Sequence, residues 1–202
     1  GTSKSPWPCT AEFTAALGDD VANIQFIDLS LRDAKGGRGF GAGYANFGGE
    51  VDVFGVGYGQ ELGFLPGLSA GLTVSNADSD DGDDTFVDLG LAYRQSLPAG
   101  DLMLGLVVRD LTDQVDTGVD VGASIRLPSG LTVAADWVDV GDADIFNAGA
   151  EWRKDRLAVR VGVADGDLTA GVGYIWRNFD VGFAWQDWGD ADAYFGSASV
   201  HF

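Results

Sequence analysis

The densest chemical signal in the chain is Asp78-Ser79-Asp80-Asp81-Gly82-Asp83-Asp84, five carboxylates within seven residues. Such hard oxygen donors suit a divalent cation. A calcium loop of EF-hand type needs oxygen donors at its first, third and fifth positions and a bidentate Glu that closes it. Here the fifth position is Gly82 and no Glu follows at the right distance. Asp78, Asp80, Asp81, Asp83 and Asp84 are therefore expected to form a solvated turn with weak, diffuse divalent binding and no specific metal site. The glycine run Gly36-Gly37-Arg38-Gly39-Phe40-Gly41-Ala42-Gly43 has the look of a phosphate cradle. It leads into a strand rather than a helix, and no Lys-Ser/Thr follows, so that chemistry is excluded. His201 is the single histidine and Cys9 the single cysteine, which leaves no disulfide framework, no multi-cysteine metal site and little room for a catalytic triad. His201 would lie at the inner end of the molecule, away from any acid or nucleophile of an outer mouth. Cys9 reads as a free or intermolecularly paired thiol. No enzyme and no cofactor is expected.

The remaining charged residues gain meaning from the elements that carry them. Apolar and small or charged residues alternate along Leu102–Arg109, Gly118–Arg126, Leu157–Ala164 and Phe179–Gln186, a period of two that specifies strands. No segment carries a helical stripe. Strands are expected at 21–33, 38–48, 50–62, 68–78, 85–97, 100–111, 116–127, 131–141, 145–155, 157–166, 168–178, 179–190 and 191–202. Strand content this high suits a sheet that closes on itself, and strands of about eleven residues can cross a bilayer at a tilt. The longest stretch without a charged residue, Leu62 to Ala77, is broken by Pro66 and is too short for a membrane helix.

The two faces distinguish a lipid-embedded barrel from a soluble sandwich. The polar face is rich in Gly and Ala, as a crowded lumen requires. Trp137, Phe146, Trp152, Trp176, Phe179, Trp185 and Tyr194 fall at strand ends, like interfacial girdles. The last strand places Tyr194, Gly196, Ala198, Val200 and the terminal Phe202 on one face. The expected fold is all-β, a closed antiparallel up-and-down transmembrane β-barrel of about 14 strands (12–14) with short turns. Residues 21–202 form its single domain. Residues 1–20 either supply a further strand through Thr10–Gly18, giving the usual even count, or thread the lumen.

Charge provides an independent reading. The chain has 31 Asp+Glu against 12 Lys+Arg, a net charge of −19, which disfavours nucleic acid as a partner. Alternate turns hold Asp19, Asp20, Glu50, Asp78 to Asp84, Asp110, Asp113, Asp116, Asp139, Asp142, Asp144, Asp165, Asp167, Asp187, Asp190 and Asp192, with no base among them. The intervening turns hold Lys35, Arg38, Lys154, Arg156 and Arg177. One mouth is therefore an acidic rim, able to attract cations or a protein partner. Strand parity points Asp28, Asp88, Asp120, Asp136, Glu151 and Asp180 inward, together with Arg32, Arg94, Arg109, Arg126, Arg153 and Arg160. Six acids facing six arginines predict a lumen network that either stiffens the barrel or sets selectivity. If Asp155-Arg156 is a two-residue turn, Glu151 stands opposite Arg160, while Arg153 needs an acid of its own from across the lumen.

The tracts Leu104-Gly-Leu-Val-Val-Arg-Asp-Leu111, Val121-Gly-Ala-Ser-Ile-Arg-Leu-Pro-Ser-Gly-Leu-Thr-Val-Ala-Ala-Asp-Trp137, Asn147-Ala-Gly-Ala-Glu-Trp-Arg153, Leu157-Ala-Val-Arg-Val-Gly162 and Leu168-Thr-Ala-Gly-Val-Gly173 resemble the C-terminal half of FadL/PorV-type outer-membrane proteins. The resemblance implies a fourteen-stranded barrel that moves hydrophobic compounds inward or serves as an anchor in secretion. The long N-terminal hatch of that family has no counterpart here, so no ligand-binding residues are carried over. The expected function is an outer-membrane channel for small solutes. A non-conducting structural or anchoring barrel and a soluble secreted β-protein are the alternatives. The expected partners are the lipid bilayer, small solutes or cations, and a protein at the acidic rim. The expected location is the bacterial outer membrane, reached by an exported chain whose signal has been removed.

Overall fold

A computed structural model describes residues 9–17, 24–32, 37–80, 82–114, 116–187 and 192–202. Within them the alternating segments form fourteen strands, and none of these residues is helical. The first seven are β1 (Cys9–Leu17), β2 (Ile24–Arg32), β3 (Arg38–Phe47), β4 (Val51–Glu61), β5 (Leu68–Ser79), β6 (Gly82–Leu97) and β7 (Gly100–Arg109). The second seven are β8 (Gly118–Arg126), β9 (Leu131–Val138), β10 (Ile145–Lys154), β11 (Leu157–Ala164), β12 (Asp167–Trp176), β13 (Phe179–Asp187) and β14 (Asp192–His201). Each pairs antiparallel with its neighbours in sequence, and β1 pairs with β14, so the sheet closes into a barrel without a free edge.

The segment ahead of residue 21 thus supplies a wall strand. β1 lies between β2 and β14, with Phe13 opposite both Ile27 and Ala198. Cys9 begins this strand, and its backbone exchanges hydrogen bonds with Phe202 (3.4 and 2.9 Å). β6 is longer than its sequence pattern implies. It begins at Gly82 because Asp83 and Asp84 extend the ladder opposite Asp78 and Ala77.

The barrel has almost no apolar interior. Ala158 and Ala193 are the buried apolar residues among those described, while Leu29, Phe54, Val56, Leu72, Val121, Val161, Val172 and Phe183 stand exposed on the outer face. The alternation therefore places the apolar set outward, the reverse of a soluble sandwich. Trp137 and Phe146 touch edge to face (5.7 Å between centroids) near one end of this belt. At the other end the Arg177 guanidinium lies 5.6 Å above the Trp176 ring.

Candidate functional site: the two-ended lumen

The topology sends every second turn to one end. Glu50, Asp80, Asp113, Asp142, Asp144 and Asp165 share that end, and the turns with Lys154, Arg156 and Arg177 lie at the other, beside Phe202. Asp19, Asp20, Lys35, Asp81 and Asp190 lie outside the described residues. Among the described residues no group of three His, Cys, Asp or Glu side chains is placed to hold a metal.

Pairing register sets which charged residues face the lumen. Glu151 is opposite Arg160, flanked on the outer face by the Trp152–Val159 pair. Their side chains meet, with Arg160 Nε 2.8 Å from Glu151 Oε2. Arg153 does not reach across the lumen for an acid, as its lack of a cross-strand partner suggests; its Nε lies 3.3 Å from Oε1 of the same Glu151. One carboxylate thus holds two guanidiniums, one from the residue directly opposite on β11 and one from two residues along the same face of β10. Arg94 pairs with Asp101 (3.4 Å), which also accepts from Ser96 (2.6 Å). Asp101 was not among the expected lumen acids, although its alternation with Leu102 places it on the inner face.

The other acids are not matched with arginines one to one. Past the Leu89–Val108 pair the β6–β7 ladder resumes one residue late, with Leu111 N–H donating to Val87 O at 2.8 Å. The extra residue is Asp110, in left-handed backbone (φ 51°), and its N–H donates to Asp88 Oδ1 at 2.9 Å. Asp88 therefore caps a bulge rather than pairing with a base. The device recurs between β8 and β9: Val140 N–H donates to Val119 O at 2.8 Å, and Asp139 (φ 58°) donates its N–H to Asp120 Oδ1 at 2.9 Å. Asp120 additionally receives Arg109 Nε at 2.9 Å, and Arg109 Nη2 reaches Asp139 at 3.4 Å. Gly118 leaves the space for this trio, since a Cβ there would stand 2.6 Å from Arg109 Nη2 and 2.8 Å from Asp139 Oδ1.

Asp136 accepts from Asn147 Nδ2 at 2.8 Å, and Asn147 Oδ1 accepts the Asp165 N–H at 3.2 Å. Asp180 binds His201, with Nε2 to Oδ2 at 3.0 Å, and Thr10 Oγ1 lies 3.1 Å from His201 Nδ1. His201 is thus not isolated; it clamps β1, β14 and β13 at the closing seam. Asp28 lies over Gly43, where a Cβ would meet its Oδ1 at 2.7 Å, and has no ion partner among the described residues. The same holds for Arg32 and Arg126. Among the described residues the charged inner wall thus comprises three arginine–carboxylate groups, the Asp180–His201 contact and the bulge caps of Asp88 and Asp120.

Open space follows the small residues. A cavity of about 640 Å³ is lined by Arg32, Gly39, Gly41, Gly57, Gly59, Gly71, Thr73, Asp88 and Gly90. A second of about 380 Å³ shares Ser30, Gly41, Gly57 and Thr73 with it and extends to Phe26, Gly43, Ala45 and Val53. Together they run along the inner wall of β2–β6; a third cavity of about 360 Å³ lies over β9–β12, beside Asp136, Glu151 and Arg160, and the arginine–carboxylate groups line β6–β11.

No protein-family model matches the chain, and no curated protein matches it. Solved structures do. The outer-membrane protein Omp33 of Acinetobacter baumannii superposes with a TM-score of 0.73 at 12% identity, over 97% of this chain and 98% of that one. A triple mutant of the Rhodopseudomonas blastica porin gives 0.54 at 12% identity, over 97% and 99% of the two chains. The KdgM porin gives 0.54 at 10% identity, over 96% and 99%. None of these three is of FadL/PorV type, so the likeness supports an outer-membrane type of barrel in general and not that family. At such identities the fold alone is shared: this chain has the closed antiparallel β-barrel fold of outer-membrane proteins.

Proposed function

We propose that the protein resides in the bacterial outer membrane as a channel for small solutes. The observation that carries the reading is the continuous open lane along β2–β6, where glycine faces inward from strand after strand. A barrel with only a structural role gains nothing from that row, because each glycine removes wall contacts. The exposed apolar belt of the outer face supports the location, since water would not sustain so large a patch. Cys9 and Phe202 then lie on the periplasmic side and the acidic rim outside. A second reading, a non-conducting anchor or assembly subunit, draws on the ion-pair groups that line β6–β11. It differs in what the lane does. Transport of hydrophobic compounds, which the FadL/PorV resemblance implies, fits less well, because Arg32, Asp88 and Thr73 line the lane.

Purified protein in planar bilayers separates the readings. Discrete, ohmic conductance steps are expected from a band that migrates faster unboiled than boiled. A folded, heat-modifiable barrel without conductance would leave the anchoring role.

A further inference from the structure

We infer that the inner mouth is a binding site for small polyvalent oxyanions, meaning polycarboxylates or phosphate esters; the inference rests on the channel reading and names what its constriction takes. Four strand pairs place one row of inward residues side by side: Asp101 opposite Arg126, Arg126 opposite Thr132, Thr132 opposite Glu151, and Glu151 opposite Arg160. Arg94 and Arg153 flank the row and bring its guanidiniums to four, against two carboxylates on adjoining strands. Arg32 ends β2, across the fourteen-membered ring from β9, where the inward acids Glu12, Glu61 and Asp180 offset it, so the net positive charge belongs to β6–β11.

The acids sit back and the bases stand forward. Side-chain exposure is 20% for Glu151 but 45% for Arg153 and 47% for Arg160. In the second group it is 41% for Asp101 and 57% for Arg94. The carboxylates thus fix the guanidiniums from behind, by contacts of 2.8 to 3.4 Å, and leave N–H edges free towards the lumen. Arg126 has no carboxylate within ion-pair distance among the described residues. It opens on a cavity of about 190 Å³ shared with Arg94, Asp101, Ser124 and Thr132; the Asp101 carboxylate is engaged by Arg94 and Ser96, and the Ser124 and Thr132 hydroxyls add donors. A planar fork held in place, with net positive charge and hydroxyls beside it, is the arrangement that takes carboxylate or phosphate bidentately. A neutral sugar would leave these charges unanswered, and a cation would be repelled. The acidic rim opposes anions arriving from its own side, so the site loads from the end that carries Cys9 and Phe202.

The test uses the full chain folded in a zwitterionic detergent, with citrate as probe. Calorimetry at low salt is expected to give saturable binding that weakens as salt rises. The Arg126→Gln, Arg160→Gln double variant is expected to weaken it about tenfold, equivalent to about 1.4 kcal/mol. Arg177→Gln, on the outer surface, is expected to leave it unchanged. Acetate, with a single charge, is expected to bind far more weakly. In bilayers citrate should block the current from the terminal side in the wild type, and not in the double variant. Binding that survives the double variant, or falls equally with Arg177→Gln, overturns the site. Binding with the expected variant pattern in a barrel that never conducts keeps the site and removes the channel.

Discussion

Glu151 shows how much one residue of this wall carries. Two arginines converge on it, so removing its carboxylate strands both. Charged hydrogen bonds contribute roughly 1.5–3 kcal/mol each when dry, and less when half exposed, as these are. Glu151→Ala is expected to fold and to lower stability by about 1–2 kcal/mol, read as an earlier urea midpoint for loss of the heat-modifiable band. Arg160→Ala placed in the same background should cost less than it does in the wild type, because its partner is already gone. Additive losses in that double-mutant cycle would mean that the pair carries no energy of its own. At this scale turn arithmetic gives the Glu151–Arg160 pair, whereas the other partnerships are not legible. Alternation puts all twelve expected residues on the inner face. It cannot show that Asp88 and Asp120 accept from backbone N–H groups, because those amides are turned inward only by bulges at Asp110 and Asp139. The one local sign is an Asp in left-handed backbone, which Asp tolerates better than most residues. Nothing in the sequence says where that conformation will occur.

The hairpins repeat one construction with a chemical difference between their two ends, and the β5–β6 hairpin is the most extreme. Above the last outward apolar pair, Val74 with Val87, come Asn76, Asp78 and Asp83, which lie beyond the apolar belt. Asp78 faces Asp83 across the ladder, with Asp52 opposite on the other side. The charge of Asp83, foremost, then its hydrogen bond, raises the carboxyl of Asp78 above its ordinary range. The folded state therefore holds that proton more tightly than the unfolded chain does. The repulsion is present in full above the raised value and is relieved as pH falls through it towards the unfolded value of about 3.9. Asp83→Asn is accordingly expected to raise the unfolding midpoint at neutral pH and to show a smaller gain on mild acidification than the wild type. Roughly 1 M salt, with a screening length of about 3 Å, should shrink the difference between the two proteins. A variant less stable than the wild type at neutral pH would mean that the acidic turn is held by something other than solvation. Strand boundaries here escape the sequence for a related reason. A run of acids reads as loop, yet short turns keep Gly82 to Asp84 in the ladder.

Over the whole molecule the charges form two zones in series. The rim and the inner wall below it carry Asp88, Asp120, Asp136 and Asp167, with Arg109 as their one inward base among the described residues. The terminal end carries Arg32, Arg94, Arg126, Arg153 and Arg160; four of these gather on β6–β11 against Asp101 and Glu151, while Glu12, Glu61 and Asp180 face the lumen from β1, β4 and β13. This polarity is the most legible property of the sequence, because it needs only the assignment of alternate turns to alternate ends. The open lane was less so: glycines on β3–β5 mark room, but only closure of the sheet shows that they line one continuous side. A pore with a cation-attracting zone joined to an anion-attracting zone should conduct unequally in the two directions. When the acidic side is positive, cations enter through the acids and anions through the arginines, and both accumulate where the zones meet. With the opposite sign each ion must enter through the zone that repels it, and the junction is depleted. At about 0.1 M salt the screening length, near 10 Å, is comparable with the width of a narrow lumen, so the effect survives. Single channels of known orientation are expected to pass roughly twofold more current with the acidic side positive, at salt near 0.1 M. The ratio should approach unity at about 1 M, and the Arg126→Gln, Arg160→Gln variant should lose part of it even at low salt. Equal currents at low salt, in channels that open, would show that water in the glycine-lined lane screens both zones and that the end-to-end polarity acts on solubility alone.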